Sequence, residues 1–330
     1  MKKLLIICCM LLLLSCESEN NSERISDDNY SGNNKVEQVV LERPFMVEEI
    51  LIFKNVRDYN LIDDNGKREH IVLLPPSFYD SDNTYPVVYY FHGQSNTSER
   101  IRHYQRHLYK KMVDGEINEA VIVGLNYYNQ FGVSFMTNSQ VTGMWEDAFF
   151  EEALPYFEDR YRINGQRSLF GFSEGGNVSL RLGFQYPDMF DGIYLLAPTI
   201  FKDKELNNIL EGETTGYGMA FVYNESSELL YDLPTFDGTD TDNVIINKWK
   251  SGYMNIDQKI EEYLDHETSL SKIGIELGIT DRNREIISGT KYFMEQLSKD
   301  EINYFYKETN NGHQINKEIF LRGITYLVND

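Results

Sequence analysis

A mostly parallel β-sheet covered by helices on both faces is the architecture this sequence predicts, on three observations. From about residue 44, strand-like runs alternate with stretches of helical periodicity. The strand-like runs are short and apolar, as buried strands of an α/β protein are. The chain has 330 residues, 41% of them hydrophobic, enough for one large core.

Taken in order, residues 1–15 read as a signal peptide: Lys2 and Lys3 form a charged start, and Leu4 to Leu14 an apolar core too short for an ordinary membrane span. The run ends in Leu13-Leu14-Ser15-Cys16, which resembles the lipobox of bacterial lipoproteins. Cys16 is therefore the expected lipidation site. The expected location is the bacterial cell envelope, anchored to the outer membrane. All three cysteines (Cys8, Cys9 and Cys16) lie in this segment, so cleavage before Cys16 leaves no intrachain disulfide. Residues 16–43 are rich in Ser, Asn, Asp and Glu and read as a flexible tether.

The domain expected over 44–330 begins with strand-like runs at Ile50–Phe53, His70–Leu74, Val87–Phe91 and Ala120–Leu125. Further runs are Ser168–Phe172, Ile193–Ala197, Ile273–Leu277 and Ile302–Tyr306. Helical patterns cover Glu99–Val113, Trp145–Tyr161, Gly176–Phe184, Arg284–Leu297 and Asn316–Val328. Residues 201–271 break this rhythm and read as an insertion over the carboxyl edge of the sheet, where α/β proteins place their sites.

The strongest motif is Gly171-Phe172-Ser173-Glu174-Gly175-Gly176, a G-x-S-x-G pattern between an apolar strand and a helix. Such an elbow lifts a serine hydroxyl clear of the sheet on a strained turn, with a helix N-terminus facing any developing negative charge. Ser173 is the expected nucleophile. A serine needs a base, and the base an orienting carboxylate. Only His266 and His313 follow Ser173; His266 lies among charged residues of the insertion, whereas His313 lies in a loop between the last strand and the last helix. His313 is the expected base. Asp281, just past the strand ending at Leu277, is the expected acid, although an Asp there also suits a helix cap; Glu285 and Asp203 are weaker alternatives. The backbone N–H groups of Gln94, in the loop His92-Gly93-Gln94, and of Glu174 would form the oxyanion hole. His92 itself reads as structural.

On these residues the chain resembles the bacterial putative-esterase family, which takes in esterase D, feruloyl, acetylxylan and enterochelin esterases and mycolyltransferases. The likeness runs through Leu74-Pro75-Pro76-Ser77-Phe78, Tyr85 to Gly93, Pro155-Tyr156-Phe157 with Tyr161-Arg162, and Gly171 to Gly176. It continues through Tyr186 to Phe190, Gly278 to Asp281 and Gly312-His313. The resemblance implies an α/β-hydrolase fold and places its triad on Ser173, Asp281 and His313. Gln314 stands where the family often has Asp, and residues 201–271 have no counterpart.

Other signals carry less. His103 and His107, four apart on a helix, lack a carboxylate motif to complete a metal site, and no metal or cofactor is expected. The net charge of −21 argues against nucleic acid as a partner. Trp145, Tyr217, Tyr223 and Trp249 are the expected substrate-binding residues, with core packing as the competing explanation for each. The expected function is a serine carboxylic-ester hydrolase acting on a small-molecule or glycan ester, an acyl ester of carbohydrate of the feruloyl or acetyl type. A siderophore ester, acyl transfer, or a non-catalytic binding protein on the same scaffold are the alternatives.

Overall fold

The computed structural model describes residues 45–94, 96–212 and 215–329. The expected signal peptide, Cys16 and tether lie outside the described residues. Eight strands form the central sheet: β1 (Met46–Ile52), β2 (Lys67–Leu73), β3 (Tyr85–Phe91), β4 (Val121–Leu125), β5 (Ile163–Phe172), β6 (Gly192–Leu196), β7 (Lys272–Gly278) and β8 (Phe305–Thr309). Their order is β1-β2-β4-β3-β5-β6-β7-β8. β2 runs antiparallel to both neighbours and every other pair is parallel.

This order places the site. From β3 the chain goes to β4 on one side and then to β5 on the other, so a crevice opens beyond the carboxyl ends of β3 and β5. Phe91 at the end of β3 is in register with Gly171 of β5, and Leu196 of β6 with Phe172. The loops that follow these strands therefore meet.

Both faces of the central strands are covered, which is why their sequences do not alternate. Val87, Tyr89 and Phe91 of β3 point into one core layer with Trp145, Phe149 and Phe157. Val88 and Tyr90 point into the other with Phe170 and Phe320. The main helices are α1 (Gln105–Val113), α2 (Leu154–Tyr161), α3 (Glu174–Gln185), α4 (Asp240–Ser251), α5 (Ile256–Leu264), α6 (Arg284–Lys299) and α7 (Lys317–Val328). No helix among the described residues is long and apolar enough to cross a membrane.

The first strand begins earlier than expected, at Met46, as does the strand before Ser173, at Ile163, and three other elements differ for visible reasons. The helix expected over Glu99–Val113 begins as a 3-10 turn at Ser98–Tyr104, where Thr97 accepts the Glu99 N–H, and only then becomes α1. The helix expected over Trp145–Tyr161 widens into a π-turn at Ala148–Ala153, next to Pro155, which has no N–H to continue the regular ladder. The last strand starts at Phe305, not Ile302. Glu301 takes a left-handed conformation and the Ile302 N–H turns back to Leu297, which uses up the apolar start of the expected run. The strand that remains is polar because it lies at the sheet edge.

The insertion lies between β6 and β7 and is helical, not a solvated loop. It contains short helices at Leu206–Glu211 and Thr215–Phe221, then α4 and α5. Its centre is Trp249, fully buried, stacked on Tyr217 at 5.6 Å and edge-on to Tyr231 at 5.9 Å.

Candidate active site

Ser173 sits between β5 and α3 with φ 57° and ψ −115°. A non-glycine residue there costs on the order of 1–3 kcal/mol and persists only where its surroundings enforce it. The enforcement is visible: the Ser173 N–H donates to Leu196 O at 2.9 Å, and Ser173 O accepts from Thr199 N–H at 3.0 Å. Glycine is obligatory on either side. A Cβ on Gly171 would lie 1.8 Å from Gly175 O, and one on Gly175 would lie 2.1 Å from Phe91 O. The elbow thus packs backbone on backbone at a distance no side chain permits.

His313 follows β8 and reaches the elbow from the far side of the sheet. Its Nε2 is 2.7 Å from Ser173 Oγ and its Nδ1 is 2.6 Å from Asp281 Oδ2. Asp281 is fully buried after β7, and its other oxygen accepts the Asn283 N–H at 2.8 Å. One carboxylate therefore contacts the imidazole and also holds the turn before α6, but it does not cap that helix, whose N-cap residue is Asn283. Asp203, the alternative acid, is committed elsewhere: it pairs with Lys250 at 2.9 Å and accepts the Asn255 N–H. The Phe172 ring lies 5.0 Å from the imidazole.

Ser173, Gln94 and Glu174 line one cavity of about 620 Å³. Glu174 is the first residue of α3, so its N–H has no acceptor within the helix. Gln94 follows a loop braced by His92, whose buried ring stacks on Tyr127 at 4.4 Å and whose carbonyl accepts the Tyr127 hydroxyl. Burial pulls the His92 imidazole down to about 4, so it stays neutral, as a structural histidine should.

The substrate-binding expectations need correction. Trp145 is fully buried; its indole N–H donates to Thr142 O at 2.7 Å, and Arg68 covers its face. Trp249 is equally buried and donates to Asp232 O at 2.9 Å. Neither lines the cavity, and neither can touch a ligand there. Tyr223 is also absent from the lining; it bridges to Tyr231 within the insertion. Only Tyr217 of the four reaches the cavity, with its hydroxyl donating to Trp249 O at 2.6 Å. The aromatic wall also includes Tyr128, Phe131, Phe135, Phe201 and Tyr253. Phe135 had no signal in the sequence. Its left-handed backbone is held by Arg181, 46 residues away, which donates to Phe135 O at 2.7 Å.

The side chain of Glu174 was also not foreseen as part of the site. It is 2% exposed, lines the cavity beside Ser173, and burial pushes its carboxyl up to about 8, against the pull of the Tyr253 hydroxyl and Arg181.

Comparison with known proteins supports the family and the fold. The family model described as "Esterase: Putative esterase" matches residues 64–253; it takes in Ser173, runs through much of the insertion that the resemblance had left without a counterpart, and ends before Asp281 and His313. No curated protein sequence matches significantly. Among solved structures, a ferulic acid esterase from Anaeromyces mucronatus is 19% identical with a TM-score of 0.56, covering 88% of this chain and 92% of that one. A fluorophosphonate-binding serine hydrolase from Staphylococcus aureus is 18% identical with a TM-score of 0.59, covering 86% and 98%. An S-formylglutathione hydrolase from Staphylococcus aureus is 15% identical with a TM-score of 0.59, covering 86% and 98%. At these identities the likeness establishes the fold.

Proposed function

The chain belongs to the putative-esterase family and is a carboxylic ester hydrolase of the α/β-hydrolase fold; from that premise we propose that it works through a Ser173–His313–Asp281 triad on acyl esters of carbohydrate. The observation that carries the triad is the unbroken chain of contacts from Ser173 Oγ through the imidazole to the buried Asp281. Ser173 Oγ attacks the ester carbonyl as His313 Nε2 takes its proton. The Asp281 carboxylate holds Nδ1–H and so keeps the imidazole in the tautomer that can accept. The N–H groups of Gln94 and Glu174 receive the oxyanion. Collapse expels the alcohol, which takes the proton back from His313. Water, activated by the same imidazole, then releases the acid and restores Ser173.

Feruloyl or acetyl esters are favoured by the cavity wall. Phe131, Phe135, Tyr217 and Tyr253 offer broad, stiff aromatic surface suited to a phenolic acyl group or a sugar ring. The similarity to ferulic acid esterases among solved structures supports the same reading. The test is a panel of methyl ferulate, acetylated xylan and p-nitrophenyl acetate, assayed with the natural protein and Ser173→Ala. The proposal expects activity on the panel and its loss in the variant. Unchanged hydrolysis by pure Ser173→Ala would refute the triad, and activity on p-nitrophenyl acetate alone would refute the carbohydrate-ester assignment.

We also propose attachment to the envelope through Cys16, on the Leu-Leu-Ser-Cys sequence that ends the apolar leader. Cys16→Ala should leave the protein unprocessed or release it from the membrane fraction. Continued lipid labelling of that variant would refute the anchor.

A further inference from the structure

Glu174 contributes twice to the cavity, and the mechanism above uses only its backbone N–H. The side chain is an acid placed directly after the nucleophile, 2% exposed, on the wall that also carries Ser173. Its Oε1 has no hydrogen-bond partner among the described residues. The cation that acts on it, Arg181 of α3, donates through Nη2 to Phe135 O at 2.7 Å and Met136 O at 3.0 Å and approaches Glu146 at 4.0 Å, while its Nε has no hydrogen-bond partner among the described residues. Glu205 and Glu285 line the same cavity, His313 lies against the neighbouring Ser173, and three hydroxyls interact with the acid directly. Tyr127 comes from the loop after β4, Tyr217 from the helix Thr215–Phe221, and Tyr253 from the turn after α4. An ionised carboxylate in such a place would be buried without an ion pair.

We propose that Glu174 is a positioning residue of the esterase reaction: its carboxyl stays neutral beside the oxyanion site so that the two N–H donors act unopposed, and its ionisation slows the reaction. The inference rests on the reading of Ser173 as nucleophile. The acid takes no part in bond making. Its effect is electrostatic: a carboxylate on the residue that supplies the donor opposes, through space, the negative oxygen charge that the N–H stabilises in the transition state. For a side chain buried from water the opposition amounts to roughly 10- to 100-fold in rate.

The sign follows from burial. The carboxyl, pushed up to about 8, is neutral at pH 7 and ionises as the pH rises beyond 8, so activity must fall on the alkaline side. The three tyrosines do not share this limb, since burial holds each above the ordinary tyrosine value.

The experiment measures kcat/KM on p-nitrophenyl acetate at about pH 7 and about pH 9.5 for the natural protein and Glu174→Gln, and compares the ratio within each protein. Taking the ratio cancels any loss due to the substitution itself. The expected result is a drop of about 10-fold or more in the natural protein, largely abolished in Glu174→Gln. Equal drops in both would overturn the proposal. If Glu174→Gln fails to fold, as judged by circular dichroism, Glu174→Met supplies a second non-ionising side chain of similar volume. Infrared difference spectra of the natural protein across the same pH interval give a readout without any substitution: a buried carboxylic-acid carbonyl band must disappear, and its absence at pH 7 would also overturn the proposal. Full activity in Ser173→Ala would instead remove the underlying mechanism. An inactive Ser173→Ala together with an unchanged alkaline limb would remove this inference alone.

Discussion

Residues 171–176 and the insertion at 201–271 face each other across one cavity, and opposite kinds of structure hold them in place. At the elbow, backbone does nearly everything. Carbonyls and N–H groups of Phe91, Gly175, Leu196 and Thr199 pack the turn that holds Ser173, and the side chains that add to them are those of the triad and Glu174. In the insertion, side chains do nearly everything: Trp249, Tyr217 and Tyr231 lock short helices together, and only part of that cluster reaches the cavity. The chemistry therefore sits on a frame that tolerates almost no substitution, and the selectivity on a packed cluster whose inner members contribute stability.

Substitution at the triad should separate the two regions most sharply. Ser173→Ala and His313→Ala should each lower kcat by on the order of 10³-fold or more with little change in melting temperature. Asp281→Asn should also be strongly impaired, because an amide cannot hold the imidazole in the accepting tautomer. A triad variant that keeps its activity would break the comparison.

Within the insertion the expected effects reverse. Trp249→Ala removes a fully buried indole and should cost about 3–5 kcal/mol in denaturant unfolding. Phe131→Ala, across the cavity on a half-buried side chain, should cost little stability. It should lower kcat/KM for methyl ferulate by about 10-fold and for p-nitrophenyl acetate by much less, since it removes aromatic contact from a large acyl group only. Equal losses on both esters would mean that Phe131 shapes the elbow, not selectivity.

A further effect is thermodynamic. Glu174 has a folded-state value of about 8 against 4.5 as a free group, so the folded protein keeps a proton that the unfolded chain releases. The stability tied to that proton is complete below pH 4.5 and is lost as the pH rises toward 8. The stability of Glu174→Gln relative to the natural protein should therefore grow across this window, by on the order of a few kcal/mol, and level off above it. Urea unfolding at several pH values measures it. A difference independent of pH would mean that the carboxyl is not buried in its neutral form.

The same contrast explains what the sequence disclosed. The elbow was legible because its requirement is local: glycines two before and two after a serine, a strand before and a helix after. His313 and Asp281 were legible because each ends a strand and chain order restricts the choice. Trp145 and Trp249 were misplaced for a physical reason. A large aromatic ring has the same composition signal whether it fills a core or lines a pocket, and only the three-dimensional neighbours decide. Phe135 and the Glu174 side chain were invisible for a related reason, since both depend on Arg181 and on tyrosines far away in the chain.

Peptide mass spectrometry after treatment with a fluorophosphonate, which adds covalently to an activated serine, probes the triad itself. A Ser173 nucleophile activated by His313 gives a single adduct on the peptide carrying Ser173, formed by the natural protein and lost or greatly slowed in His313→Ala. An adduct on another residue, or equal labelling of Ser173 when His313 is absent, would contradict it.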